Sequence, residues 1–397
     1  MKSLILFSLL YLNSLVFNPL FAAEKIIFWN GHQHTEYMNH LVEAFEKKTG
    51  IEVELHQFLS PQLRDVIVNQ ANTEELPDML YIPGDFVGLY KDIKLSPVPD
   101  EWVSSEIDVR VKDSGKVKGT NYGIPLFQGN HLMLFYNRSL VKQPILDWDQ
   151  LPEQVATFSK QVTFPITWNY REMYWLIPFM SGFNAWPIDG EKITLNTPEM
   201  VDALNFYKQL TDDGLVDPDC DHDCSVTRFK AGQSAYMING DWVIRDLEKT
   251  LGDDLGIAML PEIKGKAMTP MFSSYVLAYP SLTQDIKKLA LLKRFSLFAQ
   301  DNQGQQIILK EAGLMPVNNK VLREQTGEQT ENQLMVIKQM RATRTMPTTD
   351  KMAVAWSAMG KGFTRFMDHN YPAEKTVILM QRFADREVKR RSAIEYN

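Results

Sequence analysis

Over the first hundred positions, the alternation of apolar and polar residues predicts a regular order of strands and helices. Residues 24–29 form a short apolar strand, and residues 37–48 carry apolar side chains at helical spacing before a glycine. The same pattern predicts a second strand at 51–58, a helix at 61–72 and a third strand at 79–82. This β-α-β-α-β order predicts a parallel sheet covered by helices, with ligands near the carboxyl ends of its strands.

The rest of the chain continues the mixture of strands and helices. The pattern predicts strands at 132–136, 235–238 and 273–278, helices at 198–210 and 285–300, and a mostly helical tail at 331–383. The length of 397 residues is too great for one core, which suggests two lobes. Because no long linker separates two halves, we expect the chain to cross between the lobes more than once.

The first residues have the pattern of an export signal. Lys2 precedes an apolar run over 4–21, and Ala22 and Ala23 supply the small residues of a cleavage site. We therefore expect residues 1–23 to be removed and the mature protein to be periplasmic. No cysteine follows the run, so a lipid anchor is not expected, and no later stretch approaches the roughly 20 apolar residues that span a bilayer.

Composition and charge narrow the class of protein. Hydrophobic residues make up 44% of the chain and aromatic residues 11%, which is ample for packed cores. The net charge of −7 becomes −8 once Lys2 is removed, and the remaining lysines and arginines are scattered. A nucleic-acid partner is therefore not expected.

The two cysteines, Cys220 and Cys224, lie in an acidic loop, where an oxidising compartment favours a local disulfide. The loop also presents aspartates at alternate positions: Asp217, Asp219, Asp221 and Asp223. This spacing is similar to the first half of a calcium loop, but His222 replaces the expected glycine and Arg228 the expected glutamate. A solvated acidic turn is the preferred interpretation, and calcium is the alternative.

Catalytic motifs are sparse. The sequence has no Gly-x-Ser-x-Gly elbow, no His-Glu-x-x-His and no Walker-type loop. His32 and His34 offer two metal ligands, although paired histidines in a polar turn more often face solvent or a ligand. We expect no metal and no cofactor. The 49 acidic residues leave a carboxylate pair for glycoside hydrolysis open.

Several predicted strand ends pair an aromatic ring with an amide or a carboxylate. They are Trp29-Asn30-Gly31, Pro77-Asp78, Gly84-Asp85, Gln128-Gly129-Asn130-His131, Gly240-Asp241-Trp242 and Ala355-Trp356. A neutral sugar needs this combination, because amides and carboxylates bond its hydroxyls while an indole stacks on its C–H face. Each pair alone is equally well explained by a core ring and a turn carboxylate.

The segments at 28–31, 45–53, 76–78, 122–126, 134–140, 229–242 and 313–318 together resemble one family. They are similar to the extracellular solute-binding proteins of sugar ABC transporters, the group typified by maltose-binding protein. The resemblance implies an α/β, two-lobed periplasmic binding protein fold with hinge-linked lobes and crossing segments. It places one lobe at 24–128 plus 277–325 and the other at 129–276 plus 326–397.

The resemblance also implies a ligand site. Its residues are Asn30, Gly31, His32, Asp78, Asn130, Tyr170, Trp242 and Trp356, with Tyr174 a further aromatic beside Tyr170. Asn30, Asp78 and Asn130 would bond hydroxyls, while Trp242 and Trp356 would stack. The family member that binds the longest sugar often has Asp or Lys just after the first Asn-Gly, whereas His32 and Gln33 follow here. The resemblance therefore does not identify the particular sugar.

The implied function is a monomeric carbohydrate-binding protein, not an enzyme, that delivers a sugar or oligosaccharide to an ABC transporter permease. An alternative is a binding protein that signals to a membrane sensor kinase or chemoreceptor, because both outputs use the closed form. A secreted glycosidase is the remote alternative, and turnover of oligosaccharides would distinguish it.

Overall fold

A computed structural model describes residues 25–395, except 33–34, 59, 72, 74, 159, 281, 283–284 and 325–329. The predicted signal peptide, residues 1–23, and His34 lie outside the described residues. The strands are β1 Ile26–Asn30, β2 Val53–Gln57, β3 Met79–Pro83, β4 Lys116–Val117, β5 Thr120–Asn121, β6 Ile124–Pro125, β7 Phe127–Gln128, β8 Leu132–Asn137, β9 Ile166–Thr167, β10 Ile188–Asp189, β11 Lys192–Ile193, β12 Tyr236–Gly240, β13 Leu255–Ala258, β14 Met271–Phe272, β15 Tyr275–Ala278, β16 Met315–Pro316 and β17 Arg344–Thr345.

The α-helices are α1 Glu36–Thr49, α2 Ser60–Ala71, α3 Val109–Asp113, α4 Leu151–Val155, α5 Met173–Gly182, α6 Pro198–Asp212, α7 His222–Lys230, α8 Ile244–Leu251, α9 Ile286–Gln300, α10 Asn302–Ile307, α11 Asn319–Glu324, α12 Glu331–Arg341, α13 Asp350–Asp368 and α14 Ala373–Glu395. Short 3-10 turns include Gly84–Leu89 and Asp241–Val243. All the strands and helices predicted from the sequence are present, with ends shifted by a few residues.

The first sheet has the strand order β2-β1-β3-β15-β6. Strand β1 pairs in parallel with β2 and β3, as predicted, while β15 joins β3 antiparallel. Helix α1 buries Met38, Leu41 and Phe45 against this sheet, which is the stripe that its sequence spacing indicates. The helix ends at Gly50, whose φ of 71° lets its N–H bond the Glu46 carbonyl at 2.7 Å.

The second sheet has the order β13-β8-β12-β9 and belongs to a separate core. Strand β8 is buried at all six positions because β13 and β12 flank it and helices cover it. Helices α5, α6, α13 and α14 contribute apolar faces to this core, as the predicted helical tail requires. The molecule therefore has the two-lobed fold of the periplasmic binding proteins, and the lobe boundaries stated above stay a prediction.

Three stretches cross between the sheets side by side, at 127–132, 271–275 and 314–318. Ser273 donates its backbone N–H to the Gly129 carbonyl at 3.0 Å, which joins the first two stretches. Strand β16 pairs with β7, and Gln128 Nε2 donates to the Pro316 carbonyl at 2.8 Å, which joins the first and the third. Adjacent crossings of this kind form a hinge, because small rotations along them move whole lobes.

Candidate functional site

Three aromatic side chains of the second lobe gather beside the crossing stretches. The ring of Tyr174 lies 6.4 Å from those of both Trp242 and Trp356. Trp175 stands behind Trp242 with ring centroids 6.0 Å apart and an edge-on orientation. Because Tyr174 and Trp356 are only partly buried, they leave ring surface available to a ligand.

Local backbone geometry explains why Trp242 takes this position. Trp242 follows β12 in a short 3-10 turn, and its ring folds back over Gly240. A Cβ at Gly240 would lie 1.9 Å from Cζ3 of the indole, so no larger residue fits beneath the ring. Gly240 therefore positions Trp242 at the end of its strand.

Asp85 faces this aromatic group from the first lobe. It lies in the turn Gly84–Leu89, directly after the carboxyl end of β3. Burial raises the pKa of the Asp85 carboxyl, while the charge of Arg64 and a hydrogen bond with Trp356 oppose that shift. A carboxylate with a raised pKa next to aromatic rings is a strong acceptor for a hydroxyl donor.

Helix α13 brings Trp356 to Asp85 because its start docks on the first lobe. The turn that holds Asp85 approaches the helix so closely that a Cβ at Gly88 would lie 2.7 Å from the Thr349 carbonyl oxygen. Thr349 also caps α13 by accepting from the Lys351 backbone N–H. The helix therefore contacts both lobes and carries one of the ring surfaces between them.

Asn130 lies in the first crossing stretch, next to Tyr174. Its φ of 44° is in the left-handed region, its N–H donates to Asp241 Oδ2 at 2.9 Å, and its carbonyl accepts from the Tyr174 hydroxyl. The side chain of Asn130 is partly exposed. Of the predicted site residues, Asn130, Trp242 and Trp356 are thus brought together around Tyr174.

The predicted residues after β1 have a different role. Asn30 is fully buried, accepts from the His32 backbone N–H at 2.9 Å and donates to Gln57 Oε1 at 2.7 Å. His32 is 2% exposed and lies among aromatic rings, with Tyr275 at 4.7 Å. A Cβ at Gly31 would lie 2.5 Å from Leu63 Cδ2. These three residues are buried and pack within the turn after β1, whereas the sequence predicted that they contact a ligand.

Asp78, which the sequence predicted in the ligand site, lies outside this aromatic cluster. It precedes β3, so it lies at the amino end of the strand, about 16 Å from the carboxyl end at the usual rise per residue. Its Oδ2 accepts from the Ile27 N–H and from Lys288 Nζ, both at 2.8 Å. Asp78 therefore links the start of the sheet to α9.

Tyr170 also lies away from the predicted site. It is fully buried, stacks on Tyr207 with ring centroids 4.4 Å apart, and donates its hydroxyl to the Tyr207 carbonyl at 2.8 Å. Burial raises its pKa far above the ordinary value for a tyrosine. Tyr170 is a core residue that precedes α5, and Tyr174, four residues later in the first turn of α5, is the aromatic that reaches the cluster.

The acidic loop contains the disulfide Cys220–Cys224, and its aspartates diverge. Asp217 pairs with Arg228 at 2.7 Å, Asp219 pairs with Arg171 at 2.8 Å, and Asp221 caps α7. Within the described part of the chain, no group of three or more His, Cys, Asp or Glu side chains is arranged to hold a metal ion. The loop is thus a set of separate ion pairs and a helix cap.

Sequence reasoning singled out Asp85 at a strand end without placing it in the site, and it named Tyr174 only as a further aromatic beside Tyr170. The usable signal for Asp85 was its position after a strand, since ligands gather at carboxyl ends, whereas Asp78 precedes the same strand. For Tyr174 the signal in the sequence was weaker. Tyr170 is fully buried and Tyr174 is partly exposed, and the sequence does not show this difference.

Among the described residues, no helix is both long and apolar enough to cross a membrane.

The chain matches the model of the family described as bacterial extracellular solute-binding protein over residues 40–335. Two relatives are maltooligosaccharide ABC transporter solute-binding lipoproteins of Streptococcus pneumoniae, strains ATCC BAA-255 / R6 and ATCC BAA-334 / TIGR4. Each is 23% identical over 340 residues, which cover 81% of this chain and 79% of the relative.

A solved structure has the same fold. It is the maltose/maltodextrin-binding domain MalE from Bdellovibrio bacteriovorus bound to maltotriose. It is 22% identical, with a TM-score of 0.82, and the match covers 92% of this chain and all of that chain, 100%.

Proposed function

The chain belongs to the bacterial extracellular solute-binding proteins, and on that premise we propose that it binds a maltooligosaccharide and delivers it to an ABC transporter permease. The sugar class rests on the relatives, which are maltooligosaccharide-binding lipoproteins, and on the structural neighbour, which holds maltotriose. The mature chain works in the periplasm as a monomer after loss of residues 1–23.

The observation that carries the proposal is the aromatic group faced by a carboxylate. Tyr174 and Trp356, which are partly buried, present ring surface from one lobe beside the buried Trp242, and Asp85 presents an acceptor from the other. Glucose units have apolar C–H faces and outward hydroxyls, so they need rings and hydrogen-bonding groups together. A ligand held between Asp85 and the rings contacts both lobes, which favours their closure.

Each residue has a distinct role in this proposal. Trp242 and Trp356 stack on sugar rings, Tyr174 supports both, and Asp85 accepts hydrogen bonds from hydroxyls. The side-chain amide of Asn130 both donates and accepts. Asn30, Gly31 and His32 act indirectly by shaping the turn after β1. The protein performs no reaction on its sugar.

Calorimetric titration of residues 24–397 with maltotriose tests the proposal. We expect Trp242→Ala and Trp356→Ala each to weaken binding by about 1–3 kcal/mol. Trp186→Ala is the matched control, because this partly buried indole lies under Arg344 at 4.5 Å and belongs to the same lobe. Absence of binding by the unmodified protein would contradict the sugar class, and release of new reducing ends would contradict the binding role.

A further inference from the structure

Asp241 is a buried carboxylate next to the candidate site, with no stacking or surface role of its own. It is 5% exposed, and a buried charge needs compensating donors. One oxygen, Oδ2, accepts the backbone N–H of Asn130 at 2.9 Å and lies 3.5 Å from Nδ1 of His131. His131 is itself fully buried, and its Nε2 lies 3.2 Å from the Val336 carbonyl of α12. Asp241 is thus bound to the crossing stretch through Oδ2.

The backbone that Asp241 contacts has an unfavourable conformation. Gly129 has a φ of 127°, and Asn130 has a φ of 44° although it carries a side chain. A Cβ at Gly129 would lie 2.2 Å from Asp241 Oδ2, so the carboxylate packs directly against the glycine. Such conformations persist only where surrounding contacts hold them. Here the contacts come from Asp241, from the Tyr174 hydroxyl on Asn130 and from Ser273 on Gly129.

The same residue adjoins the stacking indole. Asp241 begins the short turn that places Trp242, and its own backbone N–H bonds the His131 carbonyl at 3.3 Å. One residue therefore sets the position of Asn130 relative to Trp242. Ligand contacts that are misplaced by about 1 Å lose much of their binding energy. A residue that fixes the position of Asn130 relative to Trp242 therefore affects affinity without touching the ligand.

We propose that Asp241 is a positioning residue, which, backed by His131, holds the left-handed Gly129–Asn130 turn so that Asn130 and Trp242 face one ligand. The expected effect on sugar affinity rests on the proposed function. The expected effect on the backbone amide of Asn130 does not, because it can be measured without a ligand.

The test compares Asp241→Ala with Asp241→Asn, and Asp246→Asn on α8 is the control because Asp246 pairs with Lys230 elsewhere in the same lobe. Asparagine keeps an acceptor oxygen for the Asn130 N–H, whereas alanine removes it. We expect Asp241→Ala to weaken maltotriose binding by at least about tenfold and Asp241→Asn to stay within about threefold of the unmodified protein. Calorimetry reports affinity of the folded protein, so a loss of stability alone would not produce this split.

Amide hydrogen exchange at Asn130 is the second measurement. In the unmodified protein this amide should be strongly protected, and exchange should become at least about tenfold faster in Asp241→Ala but not in Asp241→Asn. An unprotected Asn130 amide in the unmodified protein overturns the proposal even if Asp241→Ala fails to fold. If the unmodified protein binds maltotriose and Asp241→Ala binds equally well, the proposal is also overturned. If the unmodified protein does not bind maltotriose, the proposed function fails and the exchange data alone decide the role of Asp241.

Discussion

Asp78 lies before the amino end of β3 and Asp85 lies after its carboxyl end, and their surroundings give them different roles. Asp78 is paired with Lys288 at 2.8 Å and supports the sheet, while Asp85 faces the aromatic cluster. At the scale of single residues, the end of the strand at which a carboxylate lies decides whether it stabilises the fold or is available to a ligand.

Asparagine at each position separates these roles. Asp85→Asn should weaken maltotriose binding by roughly 10- to 100-fold, because a charged acceptor contributes about 1.5–3 kcal/mol. Asp78→Asn should leave the dissociation constant unchanged, since it lies at the other edge of the sheet. Calorimetric titration of both variants checks this, and equal losses in the two would contradict the assignment.

The raised pKa of Asp85 also predicts how stability depends on pH. Burial disfavours the charged form, so ionised Asp85 lowers the free energy of unfolding at neutral pH, and this cost disappears as pH falls through the raised pKa. Asp85→Asn should therefore be more stable than the unmodified protein at pH 7. The difference should vanish below the ordinary aspartate pKa of 3.8. Urea unfolding at several pH values measures it, and a variant less stable at pH 7 would argue against the burial.

At the scale of elements, α13 connects the lobes at one end and packs on α14 at the other. Two glycines in this helix have different surroundings. A Cβ at Gly360 would meet nothing within 4 Å, whereas a Cβ at Gly362 would lie 2.3 Å from Cγ of Met380 in α14. The close approach of α13 and α14 therefore depends on Gly362 and not on Gly360.

Alanine at the two positions should have opposite effects. Gly360→Ala should raise the free energy of unfolding by about 0.5–1 kcal/mol, because alanine loses less backbone entropy in a helix. Gly362→Ala should lower it by about 1–3 kcal/mol, since the methyl group forces Met380 to move. Urea unfolding curves for both variants provide the measurement. If both variants are stabilised, the helix pair is looser than described.

At the scale of the whole molecule, the hinge couples binding to shape. The first crossing stretch is bonded to each of the other two, an arrangement that favours rotation of the lobes about them as bodies. A ligand that contacts Asp85 in one lobe and Trp242 in the other binds the closed form better and shifts the molecule towards it.

Saturating maltotriose should reduce the radius of gyration measured by X-ray scattering. At 100 times its dissociation constant, the sugar should also stabilise the protein by about 2.7 kcal/mol, visible as a rise in melting temperature. Trp242→Ala at the same sugar concentration should show a smaller change in both. Stabilisation without any change in the radius of gyration would indicate binding to lobes that do not move.

Much of the fold was predictable because its signals are local. The apolar spacing of Met38, Leu41 and Phe45 and the glycine that follows α1 determine a helix wherever the segment lies. The β-α-β-α-β order then predicts parallel pairing of the first three strands, and β1 does pair in parallel with β2 and β3.

The site was predictable only in part. The sequence by itself determined the strands, the helices, the family resemblance and the residue types that suit a sugar, because these depend on short-range patterns. Only the tertiary structure decided that Tyr174 joins the two tryptophans and that Asp85 faces them, while Tyr170 bonds Tyr207 and Asp78 pairs with Lys288. The physical reason is that burial and side-chain partners come from segments distant in sequence, which no local pattern specifies.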